Sequence, residues 1–76
     1  MNNVFVLYDA GTCEIIRVYP SMNKAITAAV NRLVIFRHIC LGVYYDEEYA
    51  VIEYRDYESG KKYSLLIEQA MMDKDE

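Results

Sequence analysis

The chain has 76 residues, 54% of them hydrophobic, with twelve acids against eight Lys and Arg and a formal charge of −4. That length holds one domain, near the size at which a single core becomes marginal, and the composition excludes a disordered chain. The acidic balance argues against general binding to a phosphate backbone, which needs clustered Lys and Arg.

The charge is also uneven. Residues 1–42 carry Arg17, Lys24, Arg32 and Arg37 against Asp9 and Glu14, a net +2, whereas residues 43–76 carry ten acids against four cations, a net −6. An electrostatically two-sided molecule is expected. Cys13 and Cys40 match no metal or redox spacing. They read as two small apolar core residues in a reducing compartment, with a disulfide between them left open. No secretory pattern is visible at the start, and the longest apolar stretches are too short or too interrupted to span a bilayer. Cytoplasm is the expected location, the host cytoplasm for a phage-encoded protein.

In chain order, residues 3–9 and 12–19 alternate in a β-rich pattern and predict a hairpin, with Ala10 and Gly11 as its tight turn. Both faces of the first strand are apolar, which implies cover on both sides or a place in a dimer interface. Pro20 and Ser21 then mark a helix start, with Ser21 as N-cap. Met22, Ala25, Ile26, Ala29, Leu33, Phe36 and Cys40 follow at three- and four-residue intervals, one apolar stripe. Lys24, Thr27, Asn31 and His38 fall on the opposite face, and Gly42 is placed as the left-handed C′ residue. The result is a helix of about 20 residues, about 30 Å long. Val34, Ile35 and Ile39 lie outside the stripe and hint at a second contact surface.

Beyond Gly42 the chain returns to strands. Residues 43–45 can open one, with Asp46, Glu47 and Glu48 as an exposed loop or a bulge, and residues 49–57 alternate Tyr49, Val51, Glu53 and Arg55 against Ala50, Ile52, Tyr54 and Asp56. Residues 58–61 are a turn, and a strand over residues 62–68 places Tyr63, Leu65 and Ile67 on one face. Residues 64–72 also allow a short helix capped by Ser64. The strand is preferred, with residues 69–76 a frayed or mobile tail. The expected fold is a single α+β domain over residues 1–76: two-layer ββαββ, an antiparallel sheet with one long amphipathic helix packed on one face. Two hairpins around a helix leave the strand order open.

Catalytic chemistry is thinly represented. His38 is the only histidine, and on the polar helix face it reads as a solvated residue rather than a base. Cys40, two residues further on, points about 200° away from it on a helix. Asp46, Glu47 and Glu48 lack EF-hand spacing and alternate sides on an extended chain. Gly11, Gly42 and Gly60 are isolated, so no phosphate-cradling loop is present. No enzyme, metal or cofactor is implied.

The densest signal lies in residues 44–58. Tyr44, Tyr45, Tyr49, Tyr54 and Tyr57 stand among Asp46, Glu47, Glu48, Glu53, Asp56 and Glu58, interrupted by one cation, Arg55. Tyrosine rings anchor protein contacts at low entropic cost, and surrounding carboxylates attract a basic surface and repel nucleic acid. Ordinary half-buried strands also carry tyrosine and a polar outer face. What favours function is density, because a domain this small cannot hide eight tyrosines.

These eleven residues point to a small acidic, non-catalytic interaction protein that inhibits or regulates a larger protein with a basic surface, in competition with nucleic acid. In size and charge the chain resembles the compact accessory proteins that phages use against host enzymes or defence systems, anti-CRISPR and anti-restriction inhibitors among them. The resemblance is one of general character, carried by no motif. The alternative is a homodimeric structural or accessory subunit, with residues 4–8 as the interface. A third reading is a weak RNA-binding sheet with Tyr8, Arg17 and Tyr19 as its platform, which the total charge opposes.

Overall fold

The structure, a computed structural model, describes residues 2–72. Strands β1 (Asn2–Asp9) and β2 (Ile15–Tyr19) precede helix α1 (Met22–Ile35). Strands β3 (Ile39–Tyr45), β4 (Tyr49–Arg55) and β5 (Lys62–Met72) follow it. All five strands join one antiparallel sheet in the order β2-β1-β5-β4-β3. The α+β class holds, but the strands number five where four were expected. The helix takes 14 residues rather than about 20, close to 21 Å at 1.5 Å per residue.

The helix begins as the sequence implies and stops early. Ser21 Oγ accepts the Lys24 N–H at 3.2 Å, a standard N-cap. At the other end the Arg37 N–H donates to the Val34 carbonyl at 3.0 Å and the His38 N–H to the Leu33 carbonyl at 2.8 Å. Those two bonds make a Schellman motif with Phe36 as C-cap and Arg37 at C′. Arg37 takes the left-handed conformation there, φ 60, so Gly42 is not the C′ residue. The β-prone run from Ile39 then pairs with β4 instead of extending the helix. Phe36 and Cys40, placed on the buried stripe by their spacing, are therefore exposed, and His38 is not helical at all.

The core lies between α1 and the sheet face formed by Phe5 and Leu7 of β1, Ala50, Ile52 and Tyr54 of β4, and Leu65 and Ile67 of β5. Ala25 and Ala29 meet it with no exposed surface, and their small side chains let the helix backbone approach the strands. Burial of Leu7, Ile52, Leu65 and Ile67 contributes about 2–3 kcal/mol each. The expected alternation along β4, and the inward face of Leu65 and Ile67, hold in the structure. Among the described residues the opposite sheet face has no layer over it, as antiparallel sheets permit. Val6, Tyr8, Val51 and Leu66 are half-buried there and Glu53 and Glu68 exposed.

Three further expectations change. The first turn is wider than Ala10-Gly11: the Asp9 N–H donates to the Glu14 carbonyl, the Cys13 N–H to the Asp9 carbonyl, and Cys13 has φ 60. Cys13 and Cys40 are free and exposed, not core residues. Residues 69–72, assigned to a frayed tail, continue β5 as a strand to Met72 and pair with residues 2–5 of β1. Residues 73–76 of that tail lie outside the described residues. No helix among the described residues is long and apolar enough to cross a membrane.

Candidate functional site

The tyrosine- and acid-rich segment does not form one surface. Strand β4 runs through its middle and carries its two halves to opposite ends of the sheet, about 20 Å apart at 3.3 Å per residue.

At one end the β3–β4 hairpin gathers Tyr44, Tyr45, Asp46, Glu47, Glu48 and Tyr49. The loop is held rigidly: Asp46 Oδ1 accepts the Glu48 N–H at 2.8 Å and the Tyr49 N–H at 3.0 Å. The Asp46 N–H donates to the Tyr49 carbonyl and the Gln69 N–H to the Glu48 carbonyl. One Asp46 oxygen is thus committed to the turn, whereas the Glu47 and Glu48 carboxylates have no side-chain partner among the described residues. Around it Tyr44, Tyr45 and Tyr49 are 59%, 66% and 42% exposed, and they line a depression of about 240 Å³ with Asp46. The Tyr44 ring folds back over Gly42, where a Cβ would lie 2.7 Å from its hydroxyl. Nearby on the open face, Tyr8 donates to Glu68 Oε1 at 2.6 Å. That bond to a carboxylate, with partial burial, pushes the Tyr8 phenol up to about 12.

The remaining predicted contact residues are dispersed. Glu53 is exposed on the open face, and Tyr54, only 8% exposed, closes the core on the helix side. Asp56, Tyr57 and Glu58 fall in the turn between β4 and β5 at the far end. There Asp56 Oδ2 accepts from the Ser59 N–H at 3.2 Å and the Ser59 hydroxyl at 2.7 Å. Those bonds, the Ser59 hydroxyl above all, hold the Asp56 carboxyl below the usual carboxylate range. Gly60 closes the turn at φ 70.

That far end contains a cavity of about 400 Å³, lined chiefly by Asp9, Thr12, His38, Tyr54, Asp56 and Tyr63. The Schellman turn swings His38 off the helix and over the sheet. Its ring stacks on Tyr54 with centroids 5.0 Å apart, and Tyr54 stacks on Tyr63 at 5.8 Å. His38 Nδ1 lies 3.3 Å from both the Tyr57 N–H nitrogen and Asp56 Oδ1. A neutral imidazole accepts the Tyr57 N–H there, and a protonated one donates to Asp56. Asp9 Oδ1 accepts the Gly11 and Thr12 N–H groups at 2.8 and 3.3 Å. Burial and the Asp9 charge push the Tyr54 phenol up, with Arg32 opposing. An adjoining lobe of about 230 Å³ shares Asp9, His38 and Tyr54 and is bounded by Arg32 and Phe36, whose ring Arg32 covers at 5.0 Å.

Sequence reasoning missed this cluster because it kept His38 on the helix. The available signal was Asp9 two residues before Gly11, an Asx-turn pattern that fixes a carboxylate at a strand end. The proposed RNA platform does not assemble. Tyr8 faces the open side, whereas Arg17 pairs with the buried Leu7, and Tyr19 packs against the core beside Phe5. Residues 4–8 cannot supply a pairing edge either, because β1 has β2 on one side and β5 on the other. Comparison of the chain with protein-family models, with curated proteins and with solved structures found no match.

Proposed function

We propose that the protein is a non-catalytic binding domain that docks on a basic surface of a larger protein through its β3–β4 hairpin. The observation that supports this reading is the set of three exposed tyrosines around a rigid loop bearing Glu47 and Glu48. A preorganised loop loses little entropy on binding. Tyrosine rings supply contact area, and acids at the rim steer a cationic partner and set its register. A cleft that otherwise holds nucleic acid is the kind of basic surface such a face fits, which makes the domain an inhibitor or regulator of a nucleic-acid enzyme, of the phage type.

The test is capture from lysate with wild type, with Tyr45→Ala/Glu47→Lys/Glu48→Lys, and with Glu14→Lys, an acid reversed at the opposite end of the sheet. A nucleic-acid-handling partner held by wild type and by Glu14→Lys, lost by the triple variant and displaced by DNA, is expected. Equal retention by all three proteins, or equal loss from both variants, sinks the reading.

A second reading, self-association, is favoured by a different observation. The sheet ends on β3, whose sequence Ile-Cys-Leu-Gly-Val-Tyr-Tyr carries no charge. Edge strands usually carry a Lys, a Pro or an inward charge to block pairing.

A further inference from the structure

We propose that the cavity at the far end of the sheet binds a guanidinium group, the side chain of an arginine on a protein partner. The proposal stands apart from the hairpin face, which lies at the other end of β4.

Four observations converge on that chemistry. The cavity, at about 400 Å³, lies in the range of small-ligand sites and accepts a flat group with its aliphatic stem. Its lining is aromatic: His38, Tyr54 and Tyr63 border it in one stack, and Tyr63 ends that stack exposed, so a planar delocalised cation can extend it. Its mouth carries two carboxylates from different elements, each with one oxygen committed to its own turn. Asp9 uses Oδ1 for the Gly11 and Thr12 N–H groups, and Asp56 uses Oδ2 for Ser59. The other Asp56 oxygen, Oδ1, faces His38 Nδ1 at 3.3 Å and keeps a lone pair for a second donor. Finally, the site lies at the C-terminal end of α1, the end of a helix that favours cations.

Shape selects among cations. An ammonium is a compact, strongly hydrated charge, whereas the guanidinium fork reaches two acceptors while keeping its plane against a ring. Arg32, held over Phe36 in the adjoining lobe, repels a second cation there and confines the ligand to the lobe between Asp9 and Asp56. The carboxylates of Asp9 and Asp56 disfavour an anion in that lobe.

The test is an NMR titration of the whole chain with N-acetyl-arginine N-methylamide, read on the ring signals of His38, Tyr54 and Tyr63. Saturable shifts are expected, with a Kd of about 1 mM for so small a group. The equivalent lysine derivative should bind at least about threefold more weakly. Tyr63→Leu and Asp56→Asn should each weaken the arginine derivative about fivefold or more. Asp9→Asn should do the same while its amide oxygen continues to cap the turn, and the amide spectrum of each variant reports that the fold is intact. Free L-arginine run in parallel separates the sources: equal affinity fits a side chain on a partner, and a preference of about tenfold for the free amino acid assigns the site to a small molecule. Lack of saturation at about 20 mM, equal binding of the lysine derivative, or unchanged affinity in folded Tyr63→Leu and Asp9→Asn overturns the proposal.

Discussion

Asp56 shows how much one carboxylate can do at this scale. It accepts two bonds from Ser59, faces His38 Nδ1 at 3.3 Å and borders the cavity. Its pKa is lowered from the ordinary 3.8, first by the Ser59 hydroxyl. A carboxyl whose folded pKa is depressed contributes stability that is fully present above the unfolded value and lost as pH falls through the folded one. The gap in urea midpoint between wild type and Asp56→Asn should therefore be open at about pH 5 and close as pH drops below the ordinary value. A gap that stays open in acid would mean that the substitution acts through packing and not through the charge. Some of this site was open to reading from sequence. Asp9 before Gly11, and Asp56 three residues before Ser59, are turn signatures that fix carboxylates at strand ends. That both belong to one cavity was not, because it depends on where a third residue, His38, is carried by the chain between them.

The element that decides that position is the end of α1. Ser21 and the spacing of Ala25, Ala29 and Leu33 announced its start and its buried stripe, since both are local properties of the chain. Its end was illegible for a physical reason. Phe36 and Cys40 continue the helical period while Ile39, Leu41 and Val43 suit a strand, and no glycine lies between Ser21 and Gly42 to mark a left-handed residue. Pairing with β4 resolved that competition in favour of β3, and Arg37 took the conformation that glycine usually fills. A residue with a Cβ costs about 1–2 kcal/mol in that region, whereas glycine enters it freely but loses more backbone entropy on folding. Arg37→Gly should consequently raise stability by about 0.5–1 kcal/mol, read as a higher urea midpoint at unchanged slope. If the same substitution lowers the midpoint, the Arg37 side chain makes a contact worth more than the strain it imposes.

At the scale of the whole molecule, the strand order was the least readable feature. The pairing that closes the sheet joins β1 to β5, with Leu7 beside Ile67 and Val4 beside Ala70, and nothing local specifies partners that far apart. The order has a consequence, because it places the charged, short β2 on one edge and the uncharged β3 on the other. The flanks of β3 differ in sign: Arg37 and His38 precede it, and Asp46, Glu47 and Glu48 follow. Two copies paired antiparallel about Gly42 would set Arg37 of each opposite Glu47 of the other, and Ile39 opposite Tyr45. The exposed Ile39, Leu41 and Tyr45 would be covered. The bulge between Cys40 and Gly42 is the one guard on that edge. Sedimentation should then show a dimer at concentrations above about 10 µM, weakened by salt because the flanking pairs are exposed. Leu41→Lys, which places a charge at the middle of the edge without touching the core, should return it to monomer. A wild-type monomer at about 200 µM would remove self-association as a reading and leave β3 free to be one side of the hairpin face that carries Tyr44 and Tyr45.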